Sequence, residues 1–171
     1  MIACIDVDYR ESAAGEPTVA VAACVVLQSW LASEAVAEVV HRIDGVAQYV
    51  PGAFYKRELP CLLAVLERVQ QRIHLVVVDG YVVLDDAGTL GLGGYLHAAL
   101  GGEVAVVGVA KSPFRDNGAA IEVVRGEGKR PVYVTALGVE PAVAAVDVGR
   151  MHGRFRLPTM LKRVDRLCRD S

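Results

Sequence analysis

The chain has 171 residues, enough for one domain with a single sizeable core. Hydrophobic residues make up 53% and charged residues 22%, which argues against long disordered stretches. The formal net charge of −2 supplies no global pull toward nucleic acid, and no apolar run reaches the roughly 20 residues that a membrane-spanning helix needs.

Residues Ile2 to Val7 are apolar and end in acids, which predicts a buried strand with a polar tip. Asp6 and Asp8 interrupt that stretch and no basic segment precedes it, so it does not read as a signal peptide. Arg10 to Pro17 reads as a turn. Thr18 to Trp30 is a second strand, too continuously apolar to be exposed. Ala35 to Ile43 fits a strand or a helix; a strand completes a three-stranded meander and is preferred. Glu58 to Arg72 is the clearest amphipathic helix, with Leu62, Leu63, Val65, Leu66 and Val69 at helical spacing and Pro60 placed in the first turn. Ile73 to Val78 predicts a buried strand running into Asp79-Gly80. Gly91 to Leu100 is a short helix, Val104 to Ala110 a further buried strand ending at Lys111. Ile121 to Val124 and Val132 to Thr135 are short late strands, and Pro141 to Arg150 and Thr159 to Arg169 two closing helices.

The order is β-β-β-α-β-α-β, then a β pair and two helices. An antiparallel meander followed by βαβ crossovers makes an α/β domain: a mixed sheet with helices on its faces, spanning residues 1–171 without a linker. That order is similar to the order in ribonuclease-H-like domains, and by itself it says little about function.

The four cysteines, Cys4, Cys24, Cys61 and Cys168, show no CxxC spacing, and Cys4 and Cys24 sit in apolar runs as small hydrophobes. A reduced, cytoplasmic setting is the expectation. Charge is unevenly spread: Arg150 to Arg169 holds seven Lys/Arg and a single acid, Asp165. Lys111, Arg115, Arg125, Lys129 and Arg130 form a second basic group. Solvated helix and loop faces account for either cluster as well as a nucleic-acid surface does.

Three acids stand at unusual places. Asp6 lies in or just past the first strand, Asp79 ends the fourth and Glu58 opens the first long helix. Acids inside apolar strands are costly to bury unless paired or metal-bound. If strands one and four are neighbours, Asp6 and Asp79 point into one crevice that Glu58 reaches from the helix. Such a cluster repels itself unless a cation neutralises it, and Mg²⁺ or Mn²⁺ suits an all-oxygen site. Lys111, at the end of the next strand, adds positive charge there. The alternative for each residue is ordinary: a turn or cap acid, an exposed helix-start acid beside Lys56 and Arg57, a surface lysine.

The pieces IDVDYR at 5–10, YVPGAFYKRELP at 49–60, VVVDG at 76–80, LGLGGYLHAALG at 90–101, GVAKS at 108–112, PVYVTALG at 131–138 and RFRLPTMLKRVDRL at 154–167 occur in this order. In that combination the chain resembles the endonuclease V family. The resemblance implies a ribonuclease-H-like fold, Mg²⁺ or Mn²⁺ as cofactor, and nicking of DNA or RNA near inosine, in DNA one nucleotide to the 3′ side of the lesion. It implies that Asp6, Glu58 and Asp79 are the metal-binding acids and that Lys111 is the active-site lysine. Tyr49, Val50, Pro51 and Gly52 match the strand-separating wedge, a turn stiff at proline and permissive at glycine. Gly80 and Gly91 match positions near the displaced base, where tight packing also demands glycine.

The sequence departs from the family pattern in three places. The Gly-His pair expected after the strand at 131–135 is replaced by Ala136-Leu137-Gly138-Val139-Glu140; Glu140 is then the candidate fourth ligand and Asp147 a second candidate. The segment between Lys111 and Pro131 is short. The loop after VDG, Tyr81 to Asp86, is more apolar and acidic than usual. His97 does not match the family histidine. These changes leave three functions to separate: a metal-dependent endonuclease, a nucleic-acid-binding relative with lost or altered cleavage, and a ribonuclease-H-like nuclease for another substrate.

Overall fold

The structure is a computed structural model and describes residues 1–10, 18–46, 54–115 and 117–171. Within them the elements run β1 (Ile2–Arg10), β2 (Val19–Leu27), β3 (Ala37–Ile43), α1 (Phe54–Leu66), β4 (Leu75–Asp79), α2 (Leu92–Ala99), β5 (Ala105–Ala110), β6 (Ile121–Val123), β7 (Val132–Leu137), α3 (Pro141–Arg150) and α4 (Thr159–Asp170). The strands form one mixed sheet in the order β3-β2-β1-β4-β5-β7-β6. Strands β1, β4 and β5 are parallel neighbours; β1–β2, β2–β3, β5–β7 and β6–β7 are antiparallel.

The sheet separates two apolar cores, because side chains alternate between its faces. Ala3, Ile5, Val76, Val78 and Val106 pack under α1 and α2, meeting Leu62, Val65 and Leu96. Cys4, Val77, Val107, Val109 and Val134 pack under α3 and α4, meeting Val148, Met160 and Val164. Strand β2 is buried at all nine positions, which explains its unbroken apolar sequence, whereas β3 alternates toward solvent as an edge strand does. Each fully buried Val, Leu or Ile contributes about 1.5–3 kcal/mol relative to exposure.

The ambiguous segment before Ile43 is a strand, as preferred, because its Val39 and Ala37 pair into β2. The long helix is displaced from its expected bounds: α1 begins four residues earlier and ends at Leu66, so Pro60 stands inside it. The missing N–H of Pro60 leaves only the carbonyl of Lys56 without its helical donor, and Lys56 is exposed to water. All four cysteines are free and buried; burial pushes the Cys24 and Cys168 thiols up to about 12, so they act as apolar filler. No helix among the described residues is long and apolar enough to cross a membrane.

Arg125 corrects the reading of its cluster as a solvated face. It is 5% exposed, and its guanidinium donates to the carbonyls of Met151, Gly153, Phe155 and Arg156. One buried cation thereby fixes the connection between α3 and α4. Arg156 extends the clamp, donating to Pro131 O at 2.6 and 3.1 Å and to Lys111 O.

Candidate active site

The parallel pairing of β1 with β4 runs as far as Ile5 opposite Val78. One position further, Asp6 and Asp79 stand on adjacent strands about 4.8 Å apart. Ile5 and Val78 point into the α1/α2 core, so the two acids point to the opposite face, where α4 lies. Asp79 is the last residue of β4, and Gly80 follows at φ +130°, a conformation that L side chains rarely adopt. Strand β5 ends at Ala110, and Lys111 then places its ammonium in an ion pair with the Asp79 carboxylate.

Asp6, Asp79 and Lys111 line one cleft together with Leu161, Lys162 and Asp165 of α4. Asp165 is the residue that sequence reasoning missed. Met160, Val164 and Cys168 form the buried stripe of α4, and Asp165 lies on its flank one turn after Leu161. An acid in the middle of a mostly basic helix, beside its apolar stripe, was the available signal. Asp165 also pairs with Arg169 at 2.9 Å.

Glu58 approaches from the other side of the sheet. It is 7% exposed on α1, it does not line the cleft, and its Oε2 has no hydrogen-bond partner among the described residues. Its neighbours are Arg57, which stacks over the Tyr9 ring at 4.0 Å, and Cys61. Burial first, then the charges of Asp6 and Asp79, push the Glu58 carboxyl up to about 8. Asp6 is pushed up to about 6, chiefly by burial; the Val7 N–H on its Oδ1 at 2.9 Å works the other way, and Asp79 and Asp165 add repulsion. For Lys111, partial burial disfavours the charge, but the hydrogen bond to Asp79 and the fields of Asp79, Asp165 and Asp6 outweigh it and the pKa rises. Among the described residues no three His, Cys, Asp or Glu side chains close on one point as a finished metal site. The expected trio is therefore split in this arrangement: Asp6 and Asp79 share the cleft, and Glu58, on α1, stands outside its lining but within reach of their charges.

The remaining expectations fall as follows. Tyr49, Val50, Pro51 and Gly52 lie outside the described residues. Gly80 adjoins the cleft directly after Asp79. Gly91 precedes α2, and a Cβ there would lie 2.4 Å from the carbonyl oxygen of Tyr81, so packing alone requires glycine. Glu140 is not brought to the cleft. Strand β7 runs antiparallel to β5, with Leu137 opposite Val106, so Glu140 lies at the N-terminal end of β5, about 20 Å along the strand from Lys111. The stretch 136–140, where the family histidine was sought, is on the wrong end of the sheet to supply or remove a group here. Asp147, midway along α3, does not line the cleft either. His97 bonds the Val104 carbonyl through Nδ1 at 2.9 Å, a structural role.

This sheet order, with acids at the C-terminal ends of its paired central strands, is that of a ribonuclease-H-like fold. The same fold recurs in the crystal structure of endonuclease V from Streptomyces avermitilis, with a TM-score of 0.77 and 30% identity over 99% of this chain and 79% of that one. Ciona intestinalis endonuclease V, crystallised in complex with a 24mer DNA containing an inosine followed by a ribo-adenosine, shares the fold at 17% identity, with a TM-score of 0.78 over 99% of this chain and 84% of that one. In sequence, the Endonuclease V family model matches residues 1–147, and the curated Streptomyces avermitilis relative is 32% identical over 98% of this chain and 78% of its own length. The chain belongs to the endonuclease V family.

Proposed function

We propose that this protein is an endonuclease that uses Mg²⁺ or Mn²⁺ to nick a DNA or RNA strand beside a deaminated base such as inosine. The observation that carries the reading is the cleft in which Asp6, Asp79 and Lys111 stand together, in a chain of this family, with Asp165 facing them.

The residues fit a hard divalent cation. Their donors are carboxylate oxygens only, the acids repel one another, and Glu58 carries a buried oxygen without a partner among the described residues. Asp6 and Asp79 would hold the ion, with Asp165 as the further acid of the cleft. The chemistry it supplies is Lewis-acid polarisation of a phosphate oxygen and activation of water. The protein's own groups do the rest. Lys111 pairs with Asp79 and carries the positive charge that a phosphodiester meets there. Asp6, half-buried with its pKa near 6, gives up its proton readily at neutral pH. The resemblance assigns the apolar wedge to the segment Tyr49-Val50-Pro51-Gly52, and a mispaired base costs the least to displace.

The test is incubation of the protein with end-labelled DNA and RNA strands containing a single inosine, with Mg²⁺, Mn²⁺ or chelator. A metal-dependent nick beside the inosine that disappears in Asp79→Asn is the expected result. No nick on any strand, or equal nicking by the variant, would remove the proposal.

A second reading is a nucleic-acid-binding relative that has lost cleavage. It is favoured by the separation of Glu58 from the cleft. Salt-dependent binding without turnover would support it, and metal-dependent turnover excludes it.

A further inference from the structure

The connection between α3 and α4 carries an unusual surface. Phe155 is 49% exposed at its tip. Lys162 sits over one side of the ring at 4.0 Å from its centre, and the Arg154 guanidinium lies at 5.1 Å. An exposed aromatic ring on a freely moving loop would have little binding value, but this loop is fixed from within by Arg125. Arg156 of the same loop donates to the Lys111 carbonyl, so the loop is tied to the end of β5 beside the cleft.

The surface is also continuous with the cleft. Lys162 borders the cleft that holds Asp6 and Asp79. It borders as well a groove formed with Phe155, Arg156 and Lys111, and a third hollow formed with Phe155, Thr159 and Arg166. Arg166 is one helical turn beyond Lys162 and exposed. The order from the cleft outward is therefore carboxylates, Lys162, Phe155, Arg166. Glu127 is the one acid lining the two outer hollows.

We infer that this track is a docking path for single-stranded nucleic acid flanking the cleavage point: one unstacked base lies on Phe155, and phosphates run along Lys162 and Arg166. The inference rests on the nuclease reading of the cleft and extends its substrate contacts by several nucleotides in one direction. Cationic side chains around an aromatic platform match the two features every nucleotide repeats, a phosphate and a π face, independent of sequence. Among the described residues Lys162 and Arg166 of α4 form no ion pair, whereas Arg163 pairs with Glu38 and Arg169 with Asp165.

The experiment compares the parent, Phe155→Ala, Phe155→Tyr and Arg166→Ala on inosine-containing single strands of decreasing length, trimmed from the 5′ or the 3′ side. Binding is read by fluorescence anisotropy in Ca²⁺ and nicking in Mg²⁺. On long strands Phe155→Ala should bind about five- to hundredfold more weakly, and Phe155→Tyr like the parent. Arg166→Ala should make the slope of log affinity against log salt shallower by about 0.7. Both defects should vanish once the strand is trimmed from one particular side. If Phe155→Ala binds long strands like the parent, or binds all lengths equally worse whichever side is trimmed, the path is wrong. Nicking by the parent is scored separately: its absence counts against the nuclease reading, while the length-dependent binding decides the docking path.

Discussion

Replacing Glu58 with glutamine tests whether burial beside the cleft acids raises this carboxyl far above its ordinary range. Burial, and then the charges of Asp6 and Asp79, push the Glu58 carboxyl up to about 8 from an ordinary value of 4.5. Tyr9 and Cys61 beside it are also pushed up and stay neutral across the range. Between those two values the folded chain keeps a proton that the unfolded chain has released. Stability is then fully present below about pH 4.5 and is lost as pH rises toward 8. The full difference corresponds to an upper bound of about 5 kcal/mol, which relaxation and water entry reduce to about 2–4 kcal/mol. An amide does not titrate, but its buried polar atoms cost about 1–3 kcal/mol when unpaired. Urea denaturation in chelator should therefore show Glu58→Gln less stable than the parent near pH 5 and more stable above about pH 8. A residual slope between 3.8 and about 6 remains in both, from Asp6. Parallel stability curves with no crossing would refute the reasoning and return the Glu58 carboxyl to its ordinary range.

Four other outcomes follow from the same geometry. Asp79→Asn should lower nicking at least about a hundredfold while leaving the sheet folded, since Asp79 is partly exposed at the end of β4; circular dichroism and single-turnover nicking check both halves. Asp165→Asn should also impair nicking, whereas Glu140→Gln and Asp147→Asn should nick like the parent, because the first faces the cleft and the others do not. Gly91→Ala should destabilise the fold by about 1–3 kcal/mol in urea, since its methyl meets the Tyr81 carbonyl oxygen. Leu62→Ala, 1% exposed between α1 and the sheet, should cost about 2–5 kcal/mol by the same assay.

The architecture was legible in the sequence wherever burial imposed a period. Strand β2 reads as an unbroken apolar run because both of its faces are covered, and α3 begins at Pro141 as expected because a proline suits the first turn of a helix. The start of α1 was misplaced since Pro60 reads as a first-turn signal, while the loss of a single hydrogen bond on a solvated side is tolerated deeper in the helix. In the site, Asp6, Asp79 and Lys111 were found because each sits at the end of an apolar run. Asp165 was not, for it belongs to a helix whose basic residues dominate its pattern, and only the packing of α4 against β1 shows that it faces the cleft. Glu140 was chosen by closeness to a motif along the chain. Antiparallel pairing of β7 with β5 reverses that nearness in space. Arg125 looked like one more surface cation, and no local signal marks it as the buried clamp of the loop at 151–156.

The most direct test is a Mn²⁺ titration followed by electron paramagnetic resonance, on the parent, Asp6→Asn, Asp79→Asn and Glu140→Gln. Bound Mn²⁺ in the parent and in Glu140→Gln, with affinity at least about tenfold weaker in each of the other two, is the predicted result. Equal affinity in Asp6→Asn, Asp79→Asn and the parent would contradict the assignment of the cleft as a metal site, and with it the nuclease chemistry.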